Sequence, residues 1–137
     1  MKLEKAHIEN FGKLKNFDVQ FNEESNLLLE NNGWGKSTLA AFIRIMFFGF
    51  QNENKSSVVE NERKKYDPWQ GGVYGGQLTF AVGKKKYRIE RTFGKTKSED
   101  RFVLYDAIKN LPSVDYSENI GEEVFSIDAE SFMRSIF

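Results

Sequence analysis

The chain has 137 residues, 20 acidic and 20 basic side chains, no cysteine and one histidine, His7. Zero net charge gives no general attraction for nucleic acid or a membrane surface. The lack of cysteine excludes disulfides and thiolate metal sites, and a lone His7 excludes a multi-histidine centre. Hydrophobic residues make up 39% of the chain, 13 of them Phe, enough for a core in one domain of this length. Met1 is followed by nothing that reads as a signal peptide. The longest apolar stretch, Leu39 to Phe50, is interrupted by Arg44 and is too short to span a bilayer. The expectation is a cytoplasmic protein with no membrane partner.

Leu3, Ala6, Ile8 and Phe11 sit among charges with partial alternation, which predicts a strand. Gly12-Lys13 is a turn. Phe17, Val19 and Phe21 then alternate with Asp18 and Gln20, which predicts a half-buried second strand and hence an antiparallel hairpin. Asn22 to Asn26 is a polar turn. The apolar run Leu27-Leu28-Leu29 reads as a buried strand entering Asn31-Asn32-Gly33-Trp34-Gly35, and Lys36-Ser37-Thr38 opens a strongly apolar helical segment that ends at Gly49, a C-terminal cap. Leu39, Phe42, Ile43, Ile45, Met46 and Phe47 fall on nearly every face of that helix, so it belongs between layers, and its Phe cluster is core.

Strand, Gly-rich loop and helix are the context that makes a phosphate-binding loop over residues 30–38 credible. A phosphate chain needs several backbone N–H groups aimed at one point. Gly lets the backbone approach, and a helix start adds unpaired N–H groups and a positive dipole end. In this reading a triphosphate sits on Gly33 to Thr38. Lys36 reaches the β- and γ-phosphates as the catalytic cation, and the Ser37 hydroxyl holds Mg²⁺. One position departs from the full pattern. Glu30 stands where the first Gly is wanted, so its carboxylate either points away or pairs with a cation such as Lys36.

Further along, Gln51 to Lys65 is polar, charged and aperiodic, and reads as a mobile loop in which Arg63-Lys64-Lys65 is a solvated charge run. Asp67 to Gly76 is a Gly-rich loop with aromatics. Gln77 to Val82 and Tyr87 to Phe93 alternate around Gly83-Lys84 and predict a second hairpin. Lys95 to Asp100 is a charged loop, and Arg101 to Ala107 is another strand. Ser117 to Phe125 and Asp128 to Phe137 read as helices, with Asp128 as N-cap of the second. Two motifs are decoys. Tyr74-Gly75-Gly76-Gln77 resembles an ABC-type signature, but a strand follows it where a helix should. Val103-Leu104-Tyr105-Asp106 resembles an apolar strand ending in a metal-binding Asp, but Ala107 stands where a water-orienting Glu should.

The opening Leu3 to Leu14, together with Asn32-Gly33-Trp34-Gly35-Lys36-Ser37-Thr38 at this distance from Met1, resembles the N-terminus of SMC, RecN and SbcC-like ATPases. Among these, the likeness is nearest to uncharacterised bacterial ATPases of the AAA-type kind. The ending Asp128 to Phe137 resembles the segment before the Q-loop of those heads. The resemblance implies an α/β fold, a P-loop NTPase half-head with a mixed sheet around a buried P-loop helix and an antiparallel β-layer. It also implies that residues 1–137 are the N-terminal lobe of a split head. The parent would then continue beyond Phe137 into a coiled coil and a C-terminal lobe, absent here, that carries the signature and an Asp-Glu strand. Two such heads sandwich ATP, with DNA as a possible partner of the parent. The resemblance also implies that Asn32, Gly33, Trp34, Gly35, Lys36, Ser37 and Thr38 bind the triphosphate of ATP, and it brings Lys13 near the nucleotide. It leaves the lobe alone without turnover. The rivals are a compact P-loop kinase or GTPase, for which an Arg-rich lid and an acceptor site are missing, and a non-catalytic nucleotide-binding or structural module made degenerate by Glu30.

Overall fold

The computed structural model describes residues 1–21, 36–128 and 130–132, with Lys36 described by its backbone alone. Among the described residues six strands form one sheet: β1 (Lys2–Phe11), β2 (Leu14–Gln20), β3 (Tyr74–Val82), β4 (Lys85–Phe93), β5 (Arg101–Asp106) and β6 (Leu111–Pro112), in the order β2-β1-β3-β4-β5-β6. Among the described residues every pairing is antiparallel. Both expected hairpins are present. The strand expected at Leu27–Leu29, and with it the mixed character of the expected sheet, lies outside the described residues.

Period-two alternation divides the sheet into two faces. One row of cross-strand partners runs Val19, Ala6, Leu78, Ile89, Leu104, and all of these are buried. The neighbouring row on the opposite face runs Asp18, His7, Gln77, Glu90, Val103. There His7 lies between two carboxylates, 2.7 Å from Asp18 and 3.0 Å from Glu9. The contact with Asp18 first, and that with Glu9 second, hold the imidazole above its usual range.

The apolar face is covered by α1 (Lys36–Phe48). Phe42, Ile43, Ile45, Met46 and Phe47 are fully buried, which is what a helix apolar on nearly every side requires. Phe47 joins the layers. Its ring meets Phe80 of β3 at 5.1 Å, Phe125 at 5.1 Å and Phe132 at 5.4 Å. The helix ends as expected at Gly49, whose φ is +79° and whose N–H donates to Ile45 O at 2.8 Å. Phe125 closes α3 (Ile120–Phe125), which is shorter than the helix expected from Ser117. Ser117 instead donates its N–H and hydroxyl to Glu123. Asp128 caps as expected, its Oδ1 accepting the Ser131 N–H at 2.8 Å, and residues 130–132 are helical. Met133 to Phe137 lie outside the described residues.

The stretch 51–65 holds a one-turn helix, α2 (Glu62–Lys65), capped by Asn61, whose amide also donates to the carbonyls of Glu53 and Lys55. The expectation of a solvated charge run fails at Arg63. Lys64 and Lys65 are exposed, but Arg63 is buried. It donates to both oxygens of Asp100 at 2.6 and 2.8 Å, to Glu53 at 2.8 Å and to Gly94 O at 3.0 Å, and lies over the Phe50 ring. A buried guanidinium is stable when carboxylates and acceptors use its whole fork, and here four oxygens do. Arg44 of α1 pairs with Glu62, so α2 is tied to the core helix from a second side. Among the described residues no helix is long and apolar enough to cross a membrane.

Candidate functional site

The residues that sequence singles out for phosphate divide into two groups. Asn32, Gly33, Trp34 and Gly35, together with Glu30 and the side chain of Lys36, lie outside the described residues. The others lie at one end of the molecule. Lys36 is the first residue of α1. Ser37 is exposed beside it, Thr38 is half-buried, and Leu39 begins the buried part. The surface side of the first turn of α1 thus carries Ser37, and Leu39 on its inner side anchors the helix.

The Gly12-Lys13 turn between β1 and β2 comes to this same place. A Cβ added to Gly12 would lie 3.5 Å from Thr38 Cγ2 and 3.6 Å from the Tyr66 ring. Gly12 also has φ +56°, which other residues rarely adopt. The turn therefore closes directly against the first turn of α1 and sets the backbone of half-buried Lys13 beside it. Lys13 and Thr38 are distant in sequence, and the fold brings their surroundings together.

A second loop buttresses this turn, and sequence reasoning did not assign it a role. Gly12 N–H donates to Tyr66 O at 2.7 Å, and Trp69 N–H donates to Gly12 O at 3.1 Å. The Tyr66 ring stacks on Phe11 at 4.7 Å with 14° between planes. The buried Asn10 side chain donates to Val73 O at 2.8 Å. Asn10, Tyr66 and Trp69 thus complete the site's frame. The available signal was the aromatic pair bracketing Asp67-Pro68. It could not be read locally, because each bond crosses from the β1–β2 turn to a loop far along the chain.

Both decoys are structural. Tyr74-Gly75-Gly76-Gln77 lies within β3 and opens no helix. Asp106 ends β5 and caps the next turn, accepting the N–H groups of Ile108 at 2.9 Å and Lys109 at 3.0 Å. The Lys109 bond first holds its carboxyl below the usual range. A carboxylate already used by two backbone donors is a turn cap. Among the described residues no group of three or more His, Cys, Asp or Glu could hold a metal ion. Ser37, to which the sequence reading gives Mg²⁺, is exposed in the first turn of α1.

Residues 1–122 match the family model described as an AAA ATPase domain. The chain belongs to the AAA ATPase domain family. Its similarity to curated proteins agrees. It is 26% identical over 141 residues to the DNA double-strand break repair Rad50 ATPase of Thermoplasma volcanium, covering 100% of this chain and 15% of that protein. It is 33% identical over 116 residues to the DNA replication and repair protein RecF of Actinobacillus succinogenes, covering 82% of this chain and 32% of RecF. It is 36% identical over 92 residues to the uncharacterized protein YhaN of Bacillus subtilis, covering 64% of this chain and 8% of YhaN. These relatives are SMC-like ABC-type ATPases, so the resemblance read from the two ends of the chain and the loop between them holds. The chain spans less than a third of the length of each. As an AAA ATPase domain it has a P-loop fold, here an α/β arrangement with an antiparallel sheet, and its family uses a nucleotide, typically with Mg²⁺.

Proposed function

We propose that this chain is the ATP–Mg²⁺-binding N-terminal lobe of a split ATPase head. The observation that carries the reading is the Asn32 to Thr38 motif running directly into a helix whose inner side is buried and whose first turn meets the Gly12-Lys13 turn. In this reading Asn32, Gly33, Trp34 and Gly35 give backbone N–H groups to the phosphates. Lys36 supplies a charge-assisted contact that strengthens as negative charge develops on the γ-phosphoryl group. The Ser37 hydroxyl supplies the protein's ligand to Mg²⁺, which neutralises phosphate charge when bound. Thr38 and Lys13 flank the anion. The RecF and Rad50 relatives, named for DNA repair, support a role of the parent in DNA maintenance, and in this reading the parent works in the cytoplasm. There the heads would act in pairs, each completed by its own C-terminal lobe.

Lys36→Ala is expected to weaken ATP–Mg²⁺ binding by about 1–2 kcal/mol, roughly tenfold, through loss of the charge-assisted contact. Isothermal calorimetry on the parent chain and the variant checks this, and equal affinities would refute the phosphate assignment. The chain alone is expected to release phosphate from ATP no faster than background. Positioning is only part of phosphoryl transfer, and Asp106, the acid that ends Val103-Leu104-Tyr105-Asp106, is engaged in a turn. Steady-state turnover that disappears in Lys36→Ala would show that the lobe carries its own water-activating group.

A further inference from the structure

We propose that Trp69 is the stacking platform for the base of the nucleotide whose phosphates lie at the start of α1. This rests on the ATP-binding reading above and adds to it the residue that recognises the other end of the ligand. Trp69 is 73% exposed. Exposed aromatic rings are common on mobile loops, but this one is fixed by its main chain. Its N–H donates to Gly12 O, and Gly12 N–H donates to Tyr66 O, so two backbone bonds clamp the segment from Tyr66 to Trp69 onto one residue. Pro68 restricts the approach to Trp69, and Gly71 N–H closes the following turn onto Pro68 O at 3.2 Å. Beyond it, Asn10 holds Val73 O. A large, exposed indole is thus carried on a backbone held by long-range hydrogen bonds.

Position decides what the indole meets. Gly12, the residue that Trp69 is bonded to, is also the residue packed against Thr38 in the first turn of α1. Lys13 is next to it in the chain. The first turn of α1, the lysine-bearing turn and the backbone of the exposed Trp69 therefore meet at Gly12. Nucleoside triphosphates, the ligands of the reading above, join a polyanion to a flat aromatic ring in a single molecule. Stacking on an indole accepts any base, since every base has a π-face. The platform therefore adds affinity for a nucleotide over bare polyphosphate, and the choice between purines would come from other groups.

The test is calorimetric titration of the chain with ATP–Mg²⁺ and, separately, with inorganic tripolyphosphate–Mg²⁺. Trp69→Ala is expected to weaken ATP roughly tenfold, the scale of one base–aromatic stack, and to leave tripolyphosphate unchanged. Trp69→Phe keeps a ring and is expected to restore most of the loss. Equal ATP affinity in Trp69→Ala and the parent overturns the proposal. So does an equal loss for both ligands, which would make the residue a support for the loop. Lys36→Ala separates this from the underlying reading. If it weakens both ligands while Trp69→Ala is silent, the stacking role alone fails. If it weakens neither, the phosphate assignment fails and the stacking role fails with it.

Discussion

Replacing Arg91 by Met is expected to destabilise the chain by about 3 kcal/mol, a fall in melting temperature of roughly 10 °C for a domain of this size. Arg91 lies on β4 in the row of Tyr87, Ile89 and Phe93, the core-facing row, and is itself buried. Its Nε donates to Met46 O at 2.9 Å, and a terminal nitrogen donates to Glu118 O at 2.6 Å and reaches Phe47 O at 3.5 Å. Met46 and Phe47 are in the last turn of α1, where carbonyls have no intrahelical partner and the helix dipole is negative. The guanidinium answers both needs and ties that helix end to the segment before α3. Burial pushes its pKa down to about 10, against the opposing pull of Glu118 and Asp100, so it is still charged at neutral pH. Met matches the length and apolar stem but brings no donor. The carbonyls of Met46 and Glu118 then lose their partner, and an unsatisfied buried polar group costs about 1–3 kcal/mol. Thermal and chemical denaturation of the variant measure the effect. A melting temperature within a degree or two of the parent would mean that water replaces the guanidinium without loss.

Arg91 also shows where sequence reading reaches and where it stops. The alternation from Tyr87 to Phe93 is legible, because a strand with one buried face repeats every two residues, and it yields the hairpin with β3. That same alternation puts Arg91 on the core face, while its residue type argues for solvent. What resolves the conflict is the end of α1, distant in sequence. Arg63 is a parallel case. Within Arg63-Lys64-Lys65 nothing distinguishes it from its neighbours, and only Glu53, Asp100 and Gly94 make it a buried anchor. The short elements were illegible for a related reason. α2 is one turn and β6 is Leu111–Pro112 alone, too brief for any period to show, and both exist because longer elements hold them. At the site the asymmetry is the same. Gly33 to Thr38 can be read as a motif, because its chemistry is local to one loop and one helix start. The frame of Asn10, Gly12, Tyr66 and Trp69 is made by contacts between separate loops, so nothing in either stretch alone announces it.

Gly76→Ala is expected to cost at least about 3 kcal/mol, at or beyond the upper end for an added methyl group in a packed core, although Ala favours most regular structure over Gly. Gly76 pairs with Ile8 of β1 on one side and Arg91 of β4 on the other. The pairing of β1 with β3 shifts register between Ile8 and Asn10, and the glycine sits at that irregularity. A Cβ there would fall well inside van der Waals contact with the His7 carbonyl oxygen and 3.0 Å from both Ile8 Cα and Phe42 Cζ. Two of those atoms are backbone held in a ladder, so they cannot rotate away. The third belongs to a fully buried ring of α1 that also packs edge-on to Phe11 at 5.3 Å. The bare backbone of β3 is therefore what lets α1 settle on the sheet at the end that carries Ser37 and Thr38. This is the physical reason for a Gly-Gly pair that imitates a signature motif. Gly75→Ala is expected to be at least as damaging, since Gly75 has φ +147° and an added Cβ there would overlap the Arg91 carbonyl oxygen. Gly83 is the control. It lies in the β3–β4 turn with φ +60° and nothing within 4 Å of an added Cβ, so Gly83→Ala should cost only the roughly 1–2 kcal/mol of a left-handed backbone. Urea titrations of the three variants rank these costs. A Gly76 variant no worse than the Gly83 variant would show that β1 and α1 can part at this point, and that their close approach does not fix the first turn of the helix.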